Sequence, residues 1–122
     1  MKKTAKPAPA LIQKIVEGIQ NKKGHRIVVL DMRDLEVAPC AFFVVAEGNS
    51  NTQVLAIADE VEDFVRKETK EKPIGTIGQD NAEWIALDYG DAMVHIFQRE
   101  ARDFYDIEHL WADAGITKIE DL

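Results

Sequence analysis

The stretch Ala41-Phe42-Phe43-Val44-Val45-Ala46 constrains this chain more than any other. It is unbroken in apolar residues, rich in aromatic and β-branched side chains, and ends at Glu47-Gly48. Such a run falls far short of the roughly 20 apolar residues that a membrane-spanning helix needs. Because it is continuous rather than alternating, it reads as a strand covered on both faces. Ile27-Val28-Val29-Leu30, stopped by Asp31, repeats the pattern. Each face of a sheet holding these runs calls for cover.

Two helices supply that cover. Pro9 opens the first, with Leu11, Ile12, Ile15, Val16 and Ile19 at one-face spacing and Lys22-Lys23-Gly24 at its end. Ser50 and Gln53 have the capping-box spacing that starts the second. Val54, Ile57, Ala58, Val61, Phe64 and Val65 form its stripe, and Arg66, Lys67 and Lys70 collect at the end favoured by the helix dipole. Residues 74 to 78 read as a weak edge strand because of their two glycines. A hairpin follows, from Glu83 to Leu87 and back through Ala92 to Phe97. With Tyr89-Gly90 as a two-residue loop, Ala86 faces Met93 and Trp84 faces His95. Trp84, Ala86, Met93, His95 and Phe97 then share one side, and Ile85, Leu87, Ala92, Val94 and Ile96 the other. Short helices around Arg99–Glu100 and Asp106–Trp111 close the chain. The expected fold is an α/β sandwich with a mixed sheet of about five strands. Residues 1 to 8 are expected as a mobile tail, 9 to 113 as the domain, and 114 to 122 as a polar tail.

Composition narrows the function. At 122 residues, 46% apolar and 30% charged, the chain suits one core. A net charge of −7 argues against binding nucleic acid as the main mode and favours a basic protein surface as partner. A single cysteine, Cys40, forms no internal disulfide, and Gln13, Lys14 and Glu17 interrupt any signal-like apolar region behind Met1-Lys2-Lys3. A soluble, cytoplasmic protein with no membrane partner is expected.

Four places could carry chemistry. The Gly48-Asn49-Ser50 junction could hold an anion at a helix start, yet one glycine and a capping box read more simply as a capped turn. Asp31, Asp34, Asp88 and Asp91 could hold a metal, but they lie beside turns, where aspartate is ordinary. Cys40, His25, His95 and His109 have neither nucleophile nor metal-ligand spacing, so no catalytic residue, metal or cofactor is assigned. The Trp84, Met93, His95 and Phe97 face is apolar and aromatic, rimmed by Asp88 and Asp91. Pattern alone leaves it open as core or as a protein–protein interface.

Several long stretches resemble the ribosomal silencing factor, or Iojap, family. They are Phe42 to Val45 with Gly48 to Val54 and Ala56 to Val61, Glu83-Trp84-Ile85 with Leu87 to Asp91, Val94 to Phe97, and Arg102 to Glu108 with Leu110-Trp111. The resemblance implies a nucleotidyltransferase-like fold without the catalytic carboxylates. It also implies a non-enzymatic translation repressor that binds large-subunit ribosomal protein fourteen (uL14) and blocks joining of the small subunit when nutrients are scarce. Carried over by position, Trp84, Asp88 and Tyr89 lead as contacts, followed by Met93, His95, Phe97 and Tyr105. Members of the family also permit homodimers when free. Where they commonly carry Asp-Tyr-Phe at the second strand, this chain has Ala41-Phe42-Phe43. The alternative is a nucleotidyltransferase-like enzyme, with phosphates at Gly48 to Ser50 and a metal at Asp31 or Asp88.

Overall fold

A computed structural model describes residues 8–122. Helix α1 (Ala10–Asn21) precedes β1 (His25–Asp31) and β2 (Phe42–Gly48), and helix α2 (Asn51–Thr69) follows. Then come β3 (Gly75–Ile77), β4 (Trp84–Asp88), β5 (Ala92–Gln98), helices α3 (Arg99–Tyr105) and α4 (Ile107–Leu110), and β6 (Gly115–Lys118). The sheet order is β3-β4-β5-β2-β1-β6. Only β2 and β5 run parallel, so the sheet is mixed. Among the described residues no helix is long and apolar enough to cross a membrane.

The two continuous runs lie at the sheet centre, as their composition demands. Every residue of β2 is buried. On one face Phe42, Val44 and Ala46 meet Ile12, Ile15 and Ile19 of α1 and Val54, Ile57 and Val61 of α2, together with Ile85, Val94 and Ile96. The two helices approach so closely that a Cβ added at Gly18 would stand 3.1 Å from the Val61 Cα. Ser50 Oγ accepts from the Gln53 N–H at 3.1 Å, and Gln53 Oε1 accepts in return from the Asn49 N–H at 2.6 Å. That return bond reaches one residue before the cap, a variation on the expected box. Lys70 ends α2 in the left-handed region (φ 67°), its N–H bonded to the Arg66 carbonyl.

Two expectations are revised. The hairpin pairs Trp84 with Phe97, Ala86 with His95 and Asp88 with Met93. Its loop is Gly90-Asp91, closed by the Tyr89 N–H on the Ala92 carbonyl at 2.8 Å. The register thus differs from expectation by two residues, and an even shift leaves every side chain on its expected face. Second, residues expected as a polar C-terminal tail form β6, a sixth strand paired with β1 from Val28–Lys118 to Asp31–Gly115. Its side chains are all exposed, so no apolar run announces it. Of the expected N-terminal tail, residues 1–7 lie outside those described; the Ala8 carbonyl accepts from Gln13 Nε2 at 3.2 Å.

Candidate partner-binding face

Both long helices occupy one side of the sheet, so the other must be covered by shorter pieces. Val28 and Leu30 of β1, Phe43 and Val45 of β2, and Phe97 of β5 form that second core with Met32 and Ala114. Leu35, Ala38, Cys40, Ala101, Ile107 and Trp111 pack over them from the β1–β2 loop and the chain after β5. This cover stops short at the β4–β5 hairpin, where Trp84 and Met93 remain partly exposed.

Trp84 is the hub of an aromatic cluster. Its ring stacks on Phe97 at 4.9 Å between centroids and lies 4.7 Å from Tyr105. Phe104, 81% exposed, meets Tyr105 edge-on at 5.1 Å, which extends the patch into solvent. Beneath, the Trp84 Nε1–H donates to His95 Nδ1 at 3.0 Å. His95 is 4% exposed and packs edge-on against Phe43 at 4.5 Å. Burial pushes its pKa down to about 4, so the imidazole is neutral at pH 7. Glu83, Asp91, Glu100, Asp103 and Asp106 are exposed on the hairpin and on the segment after β5. Exposed carboxylates on the segments that carry exposed aromatic rings suit a cationic partner surface.

The positions expected as contacts therefore divide. Trp84, Asp88 and Met93 are partly exposed and Tyr105 is exposed, which leaves them available. His95 and Phe97 are buried beneath them. Tyr89 is a correction: it lies in the helix-covered core at 6% exposure, because odd-numbered positions of the hairpin point to that side. Its hydroxyl is buried without a partner, and burial together with Glu62 and Glu71 drives the phenol pKa upward. Asp88 Oδ1 accepts from the Gly90 N–H at 2.8 Å, as a turn-forming aspartate does.

A buried ionic network anchors the short cover. Arg102 of α3, 2% exposed, donates from Nη1 to Glu47 Oε1 at 3.2 Å and from Nε to Glu108 Oε1 at 2.8 Å. Arg26 Nη1 donates to the same Glu47 oxygen at 3.0 Å. A register irregularity between His25 and Val28, with Arg26 at φ 49°, brings this arginine to the sheet face. Sequence reading passed over Arg102 and Glu47. The available signal was a carboxylate closing an otherwise apolar strand.

The phosphate and metal positions of the alternative do not converge. Gly48 ends β2, whereas Asp31 pairs with Phe42 at its start, and Asp88 sits at that same far end through Met93 and Phe43. Six residues of strand separate the two ends, about 20 Å at 3.3 Å per residue. Asn49 and Gln53 N–H groups are already bonded within the cap, and Asp31 accepts from Arg33 Nη2 at 2.7 Å. Among the described residues no group of three or more His, Cys, Asp and Glu could hold a metal. Cys40 Sγ lies 3.2 Å from the Phe42 carbonyl, and burial raises its pKa.

Comparison with known proteins gives one answer. A family model described as "Ribosomal silencing factor during starvation" matches residues 5–122. The ribosomal silencing factor RsfS of Halalkalibacterium halodurans is 34% identical over 111 residues, 90% of this chain and 92% of that protein. The Haemophilus influenzae RsfS is 37% identical over 103 residues, 84% of this chain and 99% of that protein. A crystal structure of a Chromobacterium violaceum protein superposes with a TM-score of 0.78 at 35% identity, covering 84% of this chain and 83% of that one.

Proposed function

This chain belongs to the ribosomal silencing factor family, and from that premise we propose that it docks on the large ribosomal subunit through uL14 and keeps the small subunit from joining. The mechanism is steric occupation of an intersubunit surface, with no covalent step, and it lowers translation in the cytoplasm when nutrients are limiting. The observation that carries this reading is the unequal cover of the sheet. Trp84 and Tyr105 pack against each other with tilted rings at the edge of an otherwise closed core, Phe104 stands beyond them in solvent, and the hairpin and the segment after β5 carry exposed carboxylates.

Each part of that arrangement has a physical use. Aromatic side chains bury large area with few rotamers to lose, which is why they anchor interfaces. Trp84, Met93 and Tyr105 are the contacts proposed here, with Phe97 as the fixed platform under the indole. Asp88 and the exposed acids of the hairpin and α3 steer the approach to a basic ribosomal protein.

Light scattering of purified subunits tests the proposal. Preincubating the large subunit with this protein is expected to suppress association, while preformed ribosomes are barely affected. Trp84→Ala and Asp88→Lys are expected to bind poorly while remaining folded. Normal subunit joining at saturating, folded protein would overturn the mechanism, and unchanged binding by both variants would move the interface away from the hairpin.

A further inference from the structure

We propose that His95 is the positioning residue of this docking face: it accepts the Trp84 indole N–H and so fixes the direction of the ring that the partner meets. This rests on the docking role given to Trp84 above. His95 and Trp84 are diagonal neighbours, since Trp84 pairs with Phe97 and His95 with Ala86. On one sheet face such neighbours are within reach of long aromatic side chains. The bond is short and direct, 3.0 Å from Nε1 to Nδ1.

Two features separate this role from simple packing. Nδ1 accepts the hydrogen bond from the indole N–H, so the neutral imidazole carries its own hydrogen on Nε2. Yet Nε2 is buried and has no hydrogen-bond partner. A buried donor without an acceptor is costly, and an apolar side chain at this position would avoid that cost. What the imidazole supplies in exchange is an acceptor for Trp84. Stacking on Phe97 at 4.9 Å, with the tilted Tyr105 ring 4.7 Å away, constrains the plane of the indole. It leaves open the half-turn about Cβ–Cγ, which keeps the plane but carries Nε1 to the opposite edge. The N–H bond removes that freedom. At 4% exposure His95 is too deep to be a contact itself, so it acts through the tryptophan. A ring held in its bound orientation gives up less entropy on docking.

The test uses the full chain with three substitutions at His95, Trp84→Ala as the binding control, and two readouts: affinity for purified large subunits, and hydrogen exchange of the Trp84 indole proton followed by nitrogen-15 NMR, with the signal assigned from Trp84→Phe. His95→Leu removes the acceptor; it is expected to speed indole exchange and weaken binding about tenfold. His95→Asn puts a carbonyl oxygen close to the place of Nδ1, and is expected to restore both. If His95→Leu does not fold, His95→Phe keeps a ring without an acceptor and carries the same expectation. Binding within twofold of wild type in the acceptor-less variant overturns the inference, provided Trp84→Ala binds poorly. So does tenfold loss in His95→Asn with its indole proton protected. Normal binding by Trp84→Ala would instead remove the docking reading on which the inference stands.

Discussion

The two faces of this sheet are built from similar strand residues and finished in different ways. On one, α1 and α2 lie over Phe42, Val44 and Ala46, and the side chains of Ile15, Ile19, Ile57 and Val61 are fully buried. On the other, a loop, two short helices and a single turn cover Phe43 and Val45, held down by the Arg102–Glu47–Glu108 network. One face derives its stability from apolar area. The other relies on a few directed bonds to stay closed, and leaves Trp84 and its neighbours at its margin. A domain that must offer an aromatic surface without losing its core gains by this division, because substitutions at the margin leave the helix side untouched.

The largest expected effect lies on the helix side. Ile57→Ala should cost about 4 kcal/mol in urea unfolding, since the residue is fully buried between helix and sheet. A loss below about 1 kcal/mol would mean that the helix layer is looser than its burial implies. Next is Arg102→Ala, which strands Glu47 and frees Glu108; about 3 kcal/mol is expected, with Arg26 moderating the loss. Hydrogen exchange should then open α3 and α4 before α1 and α2, sharpening the contrast between the faces.

Acid should also act on the thin face. The pKa of His95 is lowered from 6.5 to about 4, so the folded protein binds fewer protons than the unfolded chain between those values. Its contribution is present above pH 6.5 and is lost as pH falls toward 4. Between pH 7 and 4.5 this amounts to about 2 kcal/mol. Urea titrations of wild type and His95→Leu at both pH values should differ in their pH dependence by that amount. The smallest expected effect on stability is Phe104→Ser, within about 0.5 kcal/mol at a surface site. If Phe104 joins the docking surface, the same substitution should weaken large-subunit binding by several-fold, a separation of stability from affinity that the helix side would not allow.

Sequence pattern made the sheet and the helix side legible, because apolar side chains at helical spacing or in continuous runs report burial directly. Trp84, Met93 and Phe97 could be placed on one face from parity alone, even with the hairpin register two residues out. Which of them reach solvent was not legible. That depends on where α3 and the turn carrying Trp111 settle, and those pieces are too short to show periodicity. Tyr89 illustrates the limit: beside a turn glycine it reads as exposed, but the loop is Gly90-Asp91 and the ring goes inward. Glu47 stands out as a carboxylate closing an apolar strand, but its pairing with Arg102 was invisible for another reason. Pairing between charges far apart in sequence leaves no local signature, and β6 has none either because its side chains face water.

The parallel pair at the sheet centre has a kinetic consequence. Phe42 pairs with Ala92 and Gly48 with Gln98, every pair fifty positions apart. The β4–β5 hairpin closes over a two-residue loop and β1 meets β2 across a modest connection, so each half forms early. Joining them requires a large loop to close around α2, an entropic toll that only the finished centre repays. Until then β2 and β5 each present an unpaired edge of strongly apolar strand. Refolding at high protein concentration should therefore lose material to aggregation at this step, and dilution should recover it.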